Sequence, residues 1–133
     1  VYSLAFPNAK IVKTGSITAE MVKYFTNTFL ATKVSFANEM KQICDGLNID
    51  YDKVVEYSTY DERLGKSHWA VPGPDGKLGF GGSCFPKDLN ALIHLARNLD
   101  TSLNTIGGAW DTNLDVRPEE DWKELKGRAV VDE

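Results

Sequence analysis

Between Ile17 and Leu47, apolar and aromatic residues return every three or four positions: Met21, Phe25, Thr28, Phe29, Thr32, Phe36, Met40, Ile43 and Leu47. That period predicts one continuous helix, with Ser16 or Thr18 able to cap its start and Gly46 near its end. A helix of about thirty residues is more than twice the usual globular length. Aromatics over so much of its girth call for cover on more than one side. The remaining chain is therefore expected to pack as shorter helices around this rod. An apolar stripe that they leave bare would be a surface for association with a second copy.

The shorter elements follow from the same periodicity. A second helix fits Asp50 to about Thr59, with Asp50 as N-cap and Val54, Val55 and Tyr57 turned inward. A third runs from Pro86 to Leu99 on a stripe of Leu89, Leu92, Ile93 and Ala96, and a fourth from about Thr101 to Leu114. Pro118 to Lys126 suggests a short fifth. Strand signals are weak outside Lys10 to Lys13 and Ala129 to Val131. The predicted fold is mainly α: one domain of 133 residues, with a lead-in over 1–16, a helical core over 17–114 and a C-terminal extension over 115–133. No segment is apolar enough to span a membrane, and 15 basic against 19 acidic residues argue against a general nucleic-acid or anionic-membrane surface. An anionic ligand would have to be held locally.

Two cysteines without a pairing framework predict a reducing, cytoplasmic setting, and no Cys/His spacing suggests a metal site. The two differ in their surroundings. Cys44 lies among Met40, Ile43 and Leu47 and reads as core. Cys84 ends the run Gly79-Phe80-Gly81-Gly82-Ser83-Cys84-Phe85-Pro86-Lys87-Asp88, just before the proline that suits the first position of the third helix. Glycines allow close backbone approach to a ligand, and a helix N-terminus with Lys87 beside it favours an anionic sulfur. Cys84 is the candidate nucleophile. Before it, Tyr60 to Cys84 is the least regular stretch, broken by a tight turn at Pro72-Gly73-Pro74-Asp75-Gly76. So long an irregular loop in a small domain predicts function. Gly79-x-Gly81 is not a dinucleotide fingerprint, because no strand precedes it and Cys84 stands where the third glycine belongs. On the long helix Lys23 and Asn27 are four apart and share a face, a cation and an amide able to hold one oxyanion.

Thr18 to Glu39, Asp61-Glu62-Arg63-Leu64-Gly65 and Gly79 to Asp88 together resemble the central helical region of the UDP-glucose 6-dehydrogenases and their nucleotide-sugar dehydrogenase relatives, the UDP-glucose/GDP-mannose dehydrogenase family. The resemblance implies an NAD-dependent enzyme that oxidises the C6 alcohol of UDP-glucose twice, to UDP-glucuronate. Cys84 would carry the thiohemiacetal and thioester, and Lys23 and Asn27 would steady the alkoxide and oxyanion. Asp88 would work with the lysine and active-site water. Arg63 would reach the sugar of a neighbouring subunit in a homodimer built on the long helix. Phe80 and Gly81 would line the nucleotide, and Lys87 would stand near NAD.

Complete members of that family carry flanking Rossmann domains that this sequence lacks, so the chain is expected to be one piece of a longer or divided enzyme, inactive alone. The segment Val71 to Lys77 is an insertion relative to the family pattern. GDP-mannose and UDP-N-acetylmannosamine dehydrogenases share the cysteine loop, and a helical dimerisation module without chemistry is the contrasting reading. Retention of Lys23, Asn27, Cys84 and Asp88 argues against that last alternative.

Overall fold

The structure, a computed structural model, describes residues 15–125. Four helices carry it: α1 (Ser16–Gly46), α2 (Tyr51–Ser58), α3 (Cys84–Asn98) and α4 (Asn104–Val116). Two 3-10 turns, Glu62–Leu64 and Asp121–Glu124, complete the order, and no strand forms among the described residues. The mainly α expectation holds. The strand signals at 10–13 and 129–131 lie outside the described residues.

The long helix starts and stops by other means than its sequence suggests. Its N-cap is Gly15, and neither Ser16 nor Thr18 caps it with a side chain. At the other end Asn48, not Gly46, takes the left-handed conformation (φ 56°). The Asn48 amide then reaches the Asp45 carbonyl at 3.2 Å and the Ile49 amide reaches that of Cys44 at 3.0 Å, which satisfies two carbonyls that the helix end would strand. Asp50 caps α2 as expected, its carboxylate accepting from the amides of Asp52 and Lys53. Tyr57 departs from expectation: it is exposed, and Tyr51 takes the buried position, donating its hydroxyl to the Trp69 carbonyl at 2.6 Å.

The rod is covered on two sides. One buried face, Thr28, Ala31, Ser35 and Asn38, runs against α3 and α4. Its residues are small or polar, so the helices approach closely, and the Ser35 hydroxyl donates to the Ala109 carbonyl of α4 at 2.6 Å. Ala31 packs there with Phe80 and Leu89, backed by Phe85, Ile93 and Trp110. Full burial of a leucine such as Leu89 contributes about 2 kcal/mol. The second face carries Ala37 and Cys44 against Tyr51 and Val71, with Met40, Val54, Val55 and Trp69 around them. Cys44 is core, as its neighbours predict.

A third side of α1 is bare. Phe25 is 71% exposed and Phe29 58%, and Phe36, Ile43 and Leu47 are exposed on the same rod. The short partners leave most of the aromatic stripe uncovered. The C-terminal segment also falls short of a helix: Glu120 adopts φ 44° and the chain makes only a 3-10 turn, which seats Trp122 against Trp110 with ring centroids 5.2 Å apart.

Candidate active site

The side chains of Lys23 and Asn27 meet α3 at Asp88, which is fully buried. The Asn27 amide donates to Asp88 Oδ2 at 2.6 Å, and the half-exposed Lys23 ammonium stands 3.6 Å from Oδ1. Oδ1 itself is buried and accepts no hydrogen bond. Asn27 keeps its second N–H, and Lys23 keeps protons directed elsewhere. The cluster therefore holds two donors with N–H groups to spare and one buried carboxylate oxygen without a hydrogen bond, all within one turn of α1 and one of α3.

Cys84 begins that turn of α3. It is the first helical residue, and Pro86 stands third, not first as the sequence suggests. The thiol is exposed, with Ser83 Oγ 3.9 Å from the sulfur. Cys84 and Asp88 are four apart, so they project from one face of α3, and Cys84 Sγ sits at the end of the helix where partial positive charge gathers. Lys87 is exposed in the same first turn.

Beside this corner an open cleft of about 490 Å³ lies between the glycine loop and the 72–77 turn, lined by Val34, His68, Pro74, Gly81, Gly82 and Phe85 among others. Phe80 lines it only in part: its ring is buried between Phe85 and Trp110. The turn forms as expected, with the Gly76 amide bonded to the Gly73 carbonyl and the Gly73 amide to that of Lys77, both at 2.9 Å. The loop's glycines correct the sequence reading. A Cβ at Gly79 would overlap Asn113 Oδ1, and one at Gly81 would overlap Arg117 Nη2. Those two glycines make room for this chain's own side chains. Gly82 (φ 72°) faces open space. A dinucleotide cradle thus does not fit here: no strand leads into the loop, and its close approaches are already filled from within.

Four residues of the site escape sequence reasoning. Asn38 Oδ1 accepts from the Gly79 amide at 3.2 Å. Asn113 Oδ1 accepts from the Phe80 amide at 2.7 Å while its Nδ2 donates to the Phe80 carbonyl at 3.0 Å. Buried Arg117 donates to Asp121, to Asp75 Oδ2 at 2.8 Å and to the Leu78 carbonyl at 3.3 Å. Lys33, buried on α1, lies 4.4 Å from the Trp69 ring centroid and donates to the Leu64 carbonyl at 3.1 Å. The only sequence signal was polar residues in otherwise apolar registers. The Arg117 hydrogen bonds hold the Asp121 carboxyl well below the usual carboxylate range. Burial lowers the Lys33 pKa.

Arg63 stands apart from the cluster. It sits on the 3-10 turn that Lys33 supports, its side chain 89% exposed, folded back on Asp61 with Nη2 2.6 Å from Oδ2. That pairing lowers the Asp61 pKa. The two histidines are exposed, His68 with its ring 5.9 Å from that of Phe85.

Residues 17–115 match the family described as the UDP-glucose/GDP-mannose dehydrogenase family, central domain. The chain belongs to that family. It is 39% identical to the UDP-glucose 6-dehydrogenase TuaD of Bacillus subtilis over 106 residues, 80% of this chain and 22% of that protein. It is likewise 39% identical to the UDP-glucose 6-dehydrogenase AglM of Haloferax volcanii over 125 residues, 94% of this chain and 28% of that protein. With the Bacillus subtilis protein YwqF, also a UDP-glucose 6-dehydrogenase, identity is 44% over 90 residues, 68% of this chain and 19% of that protein. The chain thus spans 19% to 28% of the length of these curated relatives. Within the UDP-glucose/GDP-mannose dehydrogenase central domain, the match covers α1 through α4, hence Lys23, Asn27, Cys84 and Asp88 together. No described helix is long and apolar enough to cross a membrane.

Proposed function

We propose that this chain is the substrate-binding and dimerisation domain of an NAD-dependent UDP-glucose 6-dehydrogenase, with Cys84 as its nucleophile. The observation that carries the reading is the Lys23–Asn27–Asp88 cluster on the same face of α3 as an exposed Cys84 at its first residue. The thiolate adds to the C6 carbonyl of the aldehyde, forming an S–C bond as the carbonyl π pair becomes an oxyanion. Lys23 and the free N–H of Asn27 hold that charge, where preorganised donors act most strongly. After oxidation to the thioester, Asp88 Oδ1 accepts a proton from the attacking water. The C–S bond then breaks and Cys84 leaves as thiolate.

The two oxidations transfer hydride to NAD, which these residues do not cradle, and we assign its binding chiefly to the rest of the enzyme, with Lys87 at its edge. Phe80 and Gly81 serve the nucleotide side of the cleft, and Arg63 the sugar of a neighbouring subunit. The bare face of α1, centred on Phe25 and Phe29, serves the homodimer. Membership in the family and the names of its relatives support UDP-glucose as substrate.

The test is a dehydrogenase that carries this domain, given UDP-glucose or GDP-mannose with NAD. UDP-glucose should support NADH formation, and Cys84→Ala should abolish it with the fold intact. The 133-residue chain alone should form none. Full turnover by Cys84→Ala, or a preference for GDP-mannose, overturns the assignment.

A further inference from the structure

Four of the five main-chain groups from the Leu78 carbonyl to the Phe80 carbonyl, that is the Leu78 carbonyl, the Gly79 amide and both groups of Phe80, bond to the side chains of Arg117, Asn38 and Asn113. An irregular loop has no ladder of its own, and buried main-chain groups must find partners. Here α4 and its C-cap residue supply three of the four bonds, and Asn38 of α1 the other. Ala109, Asn113 and Arg117 recur at four-residue steps on one face, and each makes a polar contact with a different part of the chain: α1, the loop, and the loop with the 72–77 turn. Arg117 joins both walls of the cleft, through Asp75 on one side and Leu78 and Gly81 on the other.

We propose that Asn113 and Arg117 are positioning residues, which fix the glycine loop and the 72–77 turn as opposed walls of the substrate cleft. Gly79 and Gly81 are glycine because these two side chains occupy the space that their Cβ atoms would need. The inference rests on the reading of the cleft as a nucleotide-sugar site. Asn113 sets the height of the Gly79–Gly82 wall by gripping both polar groups of Phe80. Arg117 sets the width between the walls. Neither needs to touch the substrate, so their effect falls on binding more than on chemistry.

Amide exchange and thiol labelling of the 133-residue chain test the grip without any substrate. Asn113→Ala should speed exchange of the Phe80 amide about tenfold, the loss of one buried hydrogen bond, while Ala37 exchange and Cys44 alkylation keep parental rates. Gly81→Ala should speed Phe80 exchange in the parent and add nothing in an Arg117→Ala background, because the displaced side chain is already gone. Unchanged Phe80 exchange, or a rise matched by Ala37 and Cys44, overturns the grip.

In a dehydrogenase that carries the domain, isosteric Asn113→Asp should raise KM for UDP-glucose about tenfold with kcat within about twofold, since it loses the bond to the Phe80 carbonyl. Val54→Ala, a similar loss of stability in the other core cluster, should leave KM unchanged. A KM that moves with both variants, or with neither, refutes the positioning role. A parent enzyme with no activity on UDP-glucose refutes instead the functional reading, and the exchange experiment then judges the grip alone.

Discussion

Asp88 is a buried carboxylate with two candidate supporters, and the geometry ranks them. Asn27 reaches it at 2.6 Å, whereas Lys23 stands 3.6 Å away with its side chain 52% exposed. A hydrogen bond to a buried charged group contributes about 1.5–3 kcal/mol, whereas an ion pair at 3.6 Å whose lysine is half in solvent is screened toward the about 0.2–1 kcal/mol of exposed pairs. Asn27→Ala should therefore cost about 2 kcal/mol and Lys23→Ala less than half of that. With an m-value of about 2 kcal/mol/M in urea, the midpoint should fall by about 1 M for Asn27→Ala and by under about 0.5 M for Lys23→Ala. In an Asp88→Ala background most of the Asn27→Ala effect should vanish. Activity should rank them the other way: in the intact dehydrogenase Lys23→Ala should lower kcat by about a hundredfold or more, because the ammonium meets charge that develops only in the transition state. Urea titration of the parent, the three single variants and the Asn27→Ala/Asp88→Ala double variant followed by fluorescence, beside steady-state kinetics of the enzyme variants, reads both. A larger midpoint loss for Lys23→Ala than for Asn27→Ala would refute the ranking and make the ion pair the support of Asp88.

Iodoacetamide should label exposed Cys84 at least about tenfold faster than Cys44, which reacts only when the core opens, and mass spectrometry of timed digests should show it; equal rates would remove the basis for the nucleophile. Sedimentation of the chain should show self-association at micromolar concentration that Phe25→Asp abolishes, whereas a monomer throughout would show the bare face of α1 to be no dimer surface. Asp121 has a folded pKa below its unfolded value of 3.8, so the stability it contributes is present above about pH 4 and drains away as pH falls below it. The urea midpoint of the parent should exceed that of Asp121→Asn at pH 6, and the gap should narrow from pH 4 toward pH 2. A gap independent of pH would show that the Arg117 pairing contributes nothing by charge.

The helices were legible because their periods are long, and Asp50 was legible as a cap because capping is local chemistry. The pairing of Lys23 and Asn27 was legible as a shared face, and resemblance to a family linked that face to Cys84 and Asp88 across sixty positions. Which side of α1 would be buried was harder. Phe25 and Phe29 dominate any hydrophobic period, yet Ala31 and Ser35 are what let α3 and α4 come close, and small residues leave little trace in such a period. The partners of the glycine loop were not legible. Asn113 and Arg117 resemble surface residues of an amphipathic helix until the loop is folded against them, and the reason for Gly79 and Gly81 lies more than thirty positions downstream. The ends of α1 were missed for a related reason: Gly15 caps with no side chain, and Asn48 competes with the more obvious Gly46.

Lys23 and Asn27 share the first turns of α1 with Met21, Val22 and Phe25, which are exposed. A helix is about 10 Å across, so anything seated on that bare side would stand one helix diameter from Asp88. Over a few turns such a rod shifts as a rigid body, and a displacement of half an ångström or so would matter to a hydrogen bond of 2.6 Å. Occupancy of the outer surface and occupancy of the cleft would then be coupled through one coordinate, the position of α1. A ligand that prefers one setting of the rod would tighten or loosen the grip of the partner, and the partner would alter the affinity of the ligand by the same factor.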